Sequence, residues 1–595
     1  MTNADHHLLT APLIGTVLRL PELGETIAAG QPVVVIESMK MEHVVATPEP
    51  CRVTAVLVAA GDQVADGQGL VRVQYVGSMA HPPLVDEETA NGALLGEAGG
   101  ALHVEEVLRR RGFGLDQNRQ TAVAKRHASG RRTARENIAH LCDADTFVEY
   151  GPLVLAAQRQ RRTKDELIVK TPADGLVGGI GAIRGVRCVV MTYDYMVLAG
   201  TQGYQNHRKK DRLFELAERL ELPVVILTEG GGGRPGDTDG VTVAGLDCLA
   251  FALLAKLTLT LPVIGINTGY CFAGNAALFG MCDIRISTED SYVGMAGPAM
   301  IEGGGMGVVA PREIGPVADQ TRNGVIDIVV ADDAAAVESA QQILAFAAGK
   351  ISPSFERPDS TGLALTVPAN RRQVYDMRRL LAGVFDMDST VELRPDFGKS
   401  VITAMTRLDG RPLVVVASNS AHLGGAIDAD AASTISRMLA LAQKYELPVA
   451  FFCDTPGFMV GPHEERAGLV KAAGDLFVAG AALSVPFITV VTRKGYGLGA
   501  QALAGGSFKA PVATIGWPTS EFGAMGLEGF VKLGFRDELA AIEDDGEREL
   551  RYQEMVAKMY EAGKGLSMAD HFEIDDVIPP AETAKWLQLL FSQEL

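Results

Sequence analysis

The chain has 595 residues, 47% of them hydrophobic and 21% charged, a make-up typical of globular proteins and long enough for roughly four domains at about 150 residues each. Its formal charge of −19 argues against a nucleic-acid or anionic-membrane surface, although a local basic pocket can still take a small anion. Seven cysteines, an odd number without CxxC spacing, point to neither a disulfide framework nor a zinc site, so no metal is expected and a reducing cytoplasm fits best.

No basic region followed by a long apolar core is found at the N-terminus, so no secretory signal is expected. The first predicted element is compact and all-β, residues 9–75, dense in Gly and alternating Val. Within it the apolar run 33–36 leads up to Lys40 and the run 43–46 leads away, which predicts a hairpin with Lys40 at its tip. An ordinary solvated lysine would not need Met39 and Met41 beside it at an exposed tip. The segment Glu37-Ser38-Met39-Lys40-Met41-Glu42 resembles the biotin attachment motif of biotin-dependent carboxylases, in which a biotin protein ligase couples the lysine amine to the cofactor. An internal repeat agrees: Gly24-Glu25-Thr26-Ile27-Ala28-Ala29-Gly30-Gln31 recurs as Gly61-Asp62-Gln63-Val64-Ala65-Asp66-Gly67-Gln68. Biotinyl and lipoyl domains are built from two such halves, and methionine on both sides of the lysine favours biotin over lipoate.

Residues 76–100 have little apolar periodicity and read as a flexible linker. A tether of this kind lets a carried cofactor visit a second site at high effective concentration, provided it spans the distance.

Beyond it a larger repeat is visible. Glu221-Leu222-Pro223-Val224 recurs as Glu446-Leu447-Pro448-Val449, and Leu198-Ala199-Gly200 as Leu423-Gly424-Gly425. Leu261-Pro262-Val263-Ile264 likewise recurs as Val485-Pro486-Phe487-Ile488. Several ordered matches at nearly constant offset mean duplication, and the alternation of strand, glycine turn and helix means an α/β fold. The apolar stretches 249–265 and 476–491 contain Pro262 and Pro486, and read as a buried helix followed by a strand rather than as membrane spans.

Four segments carry a second resemblance: Lys125-Arg126-His127-Ala128-Ser129-Gly130-Arg131-Arg132-Thr133-Ala134-Arg135-Glu136, Ala273-Gly274-Asn275-Ala276-Ala277, Asp454-Thr455-Pro456-Gly457-Phe458 and Trp517-Pro518-Thr519. Together they resemble the β subunits of acyl-CoA carboxylases, the propionyl-, methylcrotonyl- and acetyl-CoA carboxyltransferases, over about 105–590. The resemblance implies two duplicated crotonase-like carboxyltransferase domains, here 101–350 and 351–595. It also implies active sites between the N-domain of one subunit and the C-domain of another, in a homo-oligomer that in the family is usually a hexamer.

Moving a carboxyl group from biotin to the α-carbon of a thioester creates two oxyanions, the thioester enolate and the ureido enolate. Backbone N–H groups in glycine-rich turns at helix starts stabilise such charges, because glycine permits unusual backbone angles and close approach. The resemblance assigns Gly231, Gly232 and Gly233 to the acyl-CoA carbonyl and Gly499 and Ala500, with Gly497, to the biotin carbonyl. Decarboxylated biotin itself takes the α-proton in this mechanism, so no Asp, His or Glu is assigned as general base. Arg131 and Arg132 are expected at the CoA phosphates, Gly274 at the substrate or in helix packing, and Gln501 and Ala502 at the acyl group. Cys271 and Cys282 read as small core residues. The run 496–501 departs from the family's Tyr-Gly-Gly-Ala-Tyr as if by a one-residue insertion, which leaves the second pair of donors open by a position or two.

No stretch remains for the ATP-grasp carboxylase that loads biotin, and no GxxxxGK[ST] loop is present. A separate biotin carboxylase subunit, using ATP and bicarbonate, is therefore expected. Two alternatives use the same residues differently: an acyl-CoA decarboxylase transferase coupled to a membrane sodium pump, and a non-catalytic biotin carrier scaffold. A crotonase-type hydratase is disfavoured by the attached biotinyl domain and by the lack of a convincing catalytic Glu pair.

Overall fold

The computed structural model describes residues 6–76, 99–239, 246–352 and 354–594. They fall into two compact units, 1–103 and 104–595. The expected linker lies, apart from its ends, outside the described residues.

The first unit is a sandwich of two four-stranded antiparallel sheets. One runs His6–Thr10, Gly69–Tyr75, Cys51–Val56, Thr26–Ile27; the other runs Met41–Ala46, Pro32–Ser38, Gly15–Arg19, Gln63–Val64. Val17, Val34, Ile36, Val53, Leu70 and Val73 fill the space between them. The short repeat has a structural counterpart. Gly24 donates to the carbonyl of Val53 and Gly61 to that of Val17, while Glu22 N–H is capped by Glu25 as Ala59 N–H is by Asp62. In the hairpin Ser38 pairs with Met41, leaving Met39 and Lys40 as a two-residue loop with φ of 51° and 65°. Such a turn matches the twist of the strands but favours Asn-Gly, since side chains in the left-handed region cost roughly 1–2 kcal/mol each. Met39 is 95% exposed, so neither packing nor backbone propensity accounts for the pair.

The second unit is mixed α/β and holds two sheets of matching strand order. From the centre outward, Val186–Tyr193, Val224–Leu227, Val263–Asn267, Ile284–Thr288 and Ile328–Val330 run parallel in one. Arg411–Ser418, Val449–Thr455, Phe487–Tyr496, Ala513–Gly516 and Asp576–Val577 do so in the other. Both sheets add an antiparallel pair at the opposite edge. Backbone strain is duplicated too. Leu198 and Ala199 take φ of 50° and 53°, Leu423 and Gly424 take 50° and 62°, and Glu221 and Glu446 take 53° and 55°. The apolar stretch near 250 is a helix, Ala250–Leu257, then the strand Val263–Asn267; that near 480 is Leu469–Ala481, then Phe487–Tyr496. Among the described residues no helix is long and apolar enough to cross a membrane.

A buried charge cluster ties the halves together. Asp327, 2% exposed, accepts from Arg285 at 3.0 Å within its own half and from Arg394 at 2.8 Å and Arg437 at 3.1 Å across the boundary. Burial pushes the Asp327 carboxyl up, but the Arg437, Arg285 and Arg394 charges outweigh it and hold the pKa below the ordinary value. A depressed carboxylate stabilises above its unfolded pKa, about 4, and loses that contribution as pH falls through the folded value. Asp327→Asn, which strands three guanidiniums, is expected to cost about 3–5 kcal/mol in a denaturant titration, with most of the loss already made by wild type at acid pH.

Candidate active site

The strand Val224–Leu227 ends in the run from Thr228 to Arg234, and hydrogen bonds decide which of its amides remain available. Gly230 N–H donates to Tyr270 O at 2.7 Å, Gly231 N–H to Ala199 O at 3.2 Å, and Gly232 N–H to Asn275 Oδ1 at 3.2 Å. Of the three glycines expected as donors, only Gly233 has an N–H without a partner among the described residues, and it is exposed. Gln202 pins it from behind, donating to Gly232 O at 2.7 Å and accepting from Arg234 N–H at 2.9 Å. Against this turn sits the start of the helix Gly274–Met281, entered through Ala273 at φ 50°. Ala277 N–H is the first to find a partner, the Ala273 carbonyl, so the amides of Gly274, Asn275 and Ala276 are free, as first-turn amides are. A β-carbon on Gly274 would lie 2.8 Å from Gln202 Oε1. Gln202 is 4% exposed, its Nε2 has no partner, and its amide edge abuts this helix start.

The other half repeats the device. Ile427 donates to Gly457 O at 3.0 Å and accepts from Met459 N–H at 2.8 Å, which leaves Phe458 N–H free in the place of Gly233. The helix Gly497–Ala502, entered with Gly497 at φ 56°, packs on that turn. A β-carbon on Gly499 would come within 2.7 Å of Gly457 Cα and C, and within 3.0 Å of Phe458 N. Strand pairing fixes the register: Tyr270–Phe272 lies on Tyr292–Gly294 as Lys494, Gly495 and Tyr496 lie on Glu521, Phe522 and Gly523. Ala273 and Gly497 follow as the positive-φ residues, so relative to the first half this turn contains no extra residue. Ala500 and Ala502 are each 1% exposed and belong to the core, whereas Gln501 is exposed and faces a cavity.

Each turn is held by a buried acid at the strand end. Glu229 pairs with Arg126, and Asp454 with Arg493 and Lys494, both at 2.9 Å. Burial lowers the Arg126 pKa, but the Glu229 hydrogen bond and charge more than offset it and leave the value raised.

The arginines expected at the CoA phosphates are engaged inside the protein. Arg131 pairs with Asp333 at 3.3 Å and Asp290 at 2.7 Å, and Arg132 donates to His140 at 2.8 Å and to Glu136 O at 3.1 Å. The first turn is instead flanked by an open pocket of about 510 Å³ lined by Gln158, Arg161, Arg162, Leu198, Thr201 and Arg234. Among the described residues Arg161 and Arg162 bond only neutral acceptors, Gly236 O at 3.4 Å and Gln158 Oε1 at 3.2 Å. Residue by residue, Arg161 and Arg162 stand in a loop whose basic character was readable but whose neighbours were not. Phe458 was legible only by carrying Gly233 across the duplication. Cys271 and Cys282 are fully buried, and burial pushes the Cys271 thiol up to about 12, consistent with core packing. Among the described residues no group of three His, Cys, Asp or Glu is placed to hold a metal.

Residues 125–593 match the family described as carboxyl transferase domain, and residues 7–73 match the one described as biotin-requiring enzyme. The propionyl-CoA carboxylase beta chain of Roseobacter denitrificans is 28% identical over 488 residues, 80% of this chain and 92% of that protein. A single-chain, multi-domain long-chain acyl-CoA carboxylase of known structure aligns over 99% of this chain at 45% identity and a TM-score of 0.79; this chain spans 56% of its length. The transcarboxylase 12S hexamer, solved with methylmalonyl-CoA and methylmalonic acid, aligns over 84% of this chain and 96% of that one, at 26% identity and a TM-score of 0.73.

Proposed function

The chain belongs to the carboxyl transferase family and joins that portion to a biotin-requiring domain, and on that premise we propose how its residues divide the work of a biotin-dependent acyl-CoA carboxylase. It is the carrier and carboxyltransferase component of such an enzyme. The observation that carries the assignment of sites is the duplicated one: in each half a single unbonded turn amide faces an unbonded helix start. Such fixed donors stabilise an oxyanion without reorganising as charge develops.

In this reading Lys40 carries biotin, which when bound supplies a transferable carboxyl group and a base for the α-proton. Its tip is exposed and its side chain has no hydrogen-bond or ion-pair partner among the described residues, which suits modification and delivery. Gly233 and the start of the helix at Gly274 hold the thioester oxygen, with the Gln202 amide as a further donor. Phe458 and Gly499 hold the ureido oxygen. The two halves, 101–350 and 351–595, are crotonase-like, the segment 76–100 is their tether to the carrier, and the assembly is a hexamer like that of transcarboxylase 12S. A biotin protein ligase loads Lys40, and a separate biotin carboxylase subunit, using ATP and bicarbonate, charges it.

The test is transfer from malonyl-CoA homologues to free biotin by the purified chain, with each decarboxylated acyl-CoA identified by mass. Transfer from at least one homologue supports the reading, whereas a folded, biotinylated chain inert toward a full panel favours the scaffold. In the same assay the pocket beside Thr201 takes the anionic end of CoA. The double change Arg161→Ala and Arg162→Ala is expected to raise KM for the CoA ester about tenfold or more with kcat and thermal midpoint kept, since each guanidinium–phosphate bond is worth about 1.5–3 kcal/mol. Arg131→Ala, which takes the guanidinium partner from buried Asp333, should do the reverse: a lower midpoint and an unchanged KM.

A further inference from the structure

At the junction of the two halves of the larger unit, an open cavity of about 390 Å³ takes side chains from each. Arg184 belongs to the tip of the hairpin between the strands Leu176–Ile183 and Val186–Tyr193. Gln342 comes from the helix Asp333–Ala347, Lys350 from the segment where the chain passes between halves, and Arg407 from the strand Val401–Leu408. The sheets separate this cavity from the two turns. Val186–Tyr193 runs from the hairpin tip parallel to Val224–Leu227, whose end leads into the first turn, and its eight residues at about 3.3 Å each span roughly 26 Å. Arg411–Ser418, also of eight residues, runs likewise beside Val449–Thr455 toward the second turn. A small molecule in the cavity is too far away to touch the groups held at either turn.

Its wall holds cations without counter-charge. Arg407 is half-buried, its guanidinium carbon lies 4.7 Å from the centre of the Phe346 ring, and its Nη1 donates to the carbonyls of Lys350 at 2.5 Å and Gly410 at 2.8 Å. Nε and Nη2, the edge that grips an oxyanion with two parallel bonds, have no partner among the described residues. Nor do the side chains of Arg184 and Lys350, both exposed. Burial holds the Arg407 pKa below its ordinary value; the Asp386 charge opposes that shift and the like charge of Arg184 adds to it. Elsewhere in this unit guanidiniums withdrawn from water meet carboxylates, as Arg126 meets Glu229 and Arg493 meets Asp454, because a buried charge left unpaired is costly. Two acids share the wall of the cavity, and neither pairs with the three cations among the described residues. Asp386 is 4% exposed, and its oxygens accept from Asp409 N–H at 3.0 Å and Gly410 N–H at 2.7 Å. Asp388 is exposed and makes no ion pair.

We propose that this cavity binds a small organic anion with a doubly charged phosphate or carboxylate head, an effector separate from the CoA ester and from biotin. The head lies between the free edge of Arg407 and the side chains of Arg184 and Lys350, with the Gln342 amide as a neutral donor. Phe355 and Met387, in the same wall, cover the body of the molecule. The volume agrees, since sites that take a whole small molecule measure about 300–1,000 Å³. Arg184 belongs to the first half and Arg407 to the second, so an anion held by both draws the halves together.

The test titrates the full chain calorimetrically, in a buffer of low ionic strength, with phosphate, pyrophosphate, malonate and succinate. At least one is expected to bind once per chain with Kd of about 1 mM or below, as several charge-assisted bonds imply. Tighter binding of the phosphates identifies a phosphoryl head and tighter binding of the dicarboxylates a carboxylate head, and either supports the site. Arg184→Ala, at an exposed hairpin tip, is expected to weaken binding about tenfold to a hundredfold, the equivalent of about 1.5–3 kcal/mol, with the thermal midpoint of the ligand-free chain unchanged. Arg407→Lys, which keeps the charge but not the two-pronged edge, should weaken it at least tenfold. Arg219→Ala removes another exposed arginine without an ion-pair partner among the described residues and should leave the affinity as it is. Absence of saturable binding by all four anions overturns the proposal. So does binding that Arg184→Ala and Arg219→Ala weaken equally, because the attraction is then general. Binding that survives Arg184→Ala but is lost in the double change Arg161→Ala and Arg162→Ala also overturns it, because the anion then sits in the pocket beside Thr201.

Discussion

The Lys40→Ala chain is expected to emerge with no covalent biotin and no overall carboxylation, yet to transfer carboxyl groups to free biotin as the unaltered chain does. The first half follows from chemistry, because the amine that would be acylated is gone. The second half follows from structure. Among the described residues the Lys40 side chain has no hydrogen-bond or ion-pair partner, so its loss removes no polar contact from the sandwich, and exposed substitutions of this kind stay within about 0.5 kcal/mol. The unbonded amides at Gly233 and Phe458 lie in the other compact unit. Free biotin must be supplied at millimolar levels to replace a tethered one, since a short flexible link provides an effective concentration of about that order. Intact mass and avidin capture read the first result, and release of decarboxylated acyl-CoA reads the second. Loss of both activities in a folded Lys40→Ala chain would contradict the division of labour.

What could be read before any coordinates were known was what depends on neighbours in sequence. The hairpin under Lys40 follows from apolar runs either side of a polar tip, and the duplicated sheets from short strings recurring at nearly constant offset. What depends on distant residues was hidden. Three successive glycines look alike in the run 231–233, and only the carbonyl of Ala199 and the side chain of Asn275, each more than thirty residues away, decide that Gly233 is the one left free. Arg131 and Arg132 sit in a basic segment that invites a phosphate, but Asp333, about two hundred residues on, accepts from the side chain of one and the backbone amide of the other. The departure at 496–501 is a departure from the pattern of other chains, whereas the strand pairing of Lys494, Gly495 and Tyr496 shows its register against the first half directly. The wall of the cavity that Gln501 faces, assembled from residues 495–573, was beyond any local pattern.

Gly499→Ala is expected to lower carboxyl transfer to free biotin by about 10²–10³-fold, the cost of losing one oxyanion donor, equivalent to about 2.7–4 kcal/mol. The added methyl group has nowhere to go. It would meet the backbone of Gly457 at 2.7 Å and the Phe458 nitrogen at 3.0 Å, and backbone atoms, unlike the end of a flexible side chain, do not step aside. The helix start must therefore lift from the turn, and the Phe458 amide and the first-turn amides stop converging on one point. The loss is expected in kcat and in KM for biotin, with affinity for CoA esters kept, because Gly499 lies in the half opposite Gly233. Gly474→Ala supplies the control. That glycine is in the exposed part of the helix Leu469–Ala481, a β-carbon there meets nothing within 4 Å, and the change should stabilise by roughly 0.5–1 kcal/mol with full activity. If Gly499→Ala instead transferred at the control's rate, the second turn would not be where biotin is held. If it bound CoA esters more weakly in proportion to its lost turnover, the two turns would have to exchange roles: Phe458 would face the thioester and Gly233 the ureido oxygen.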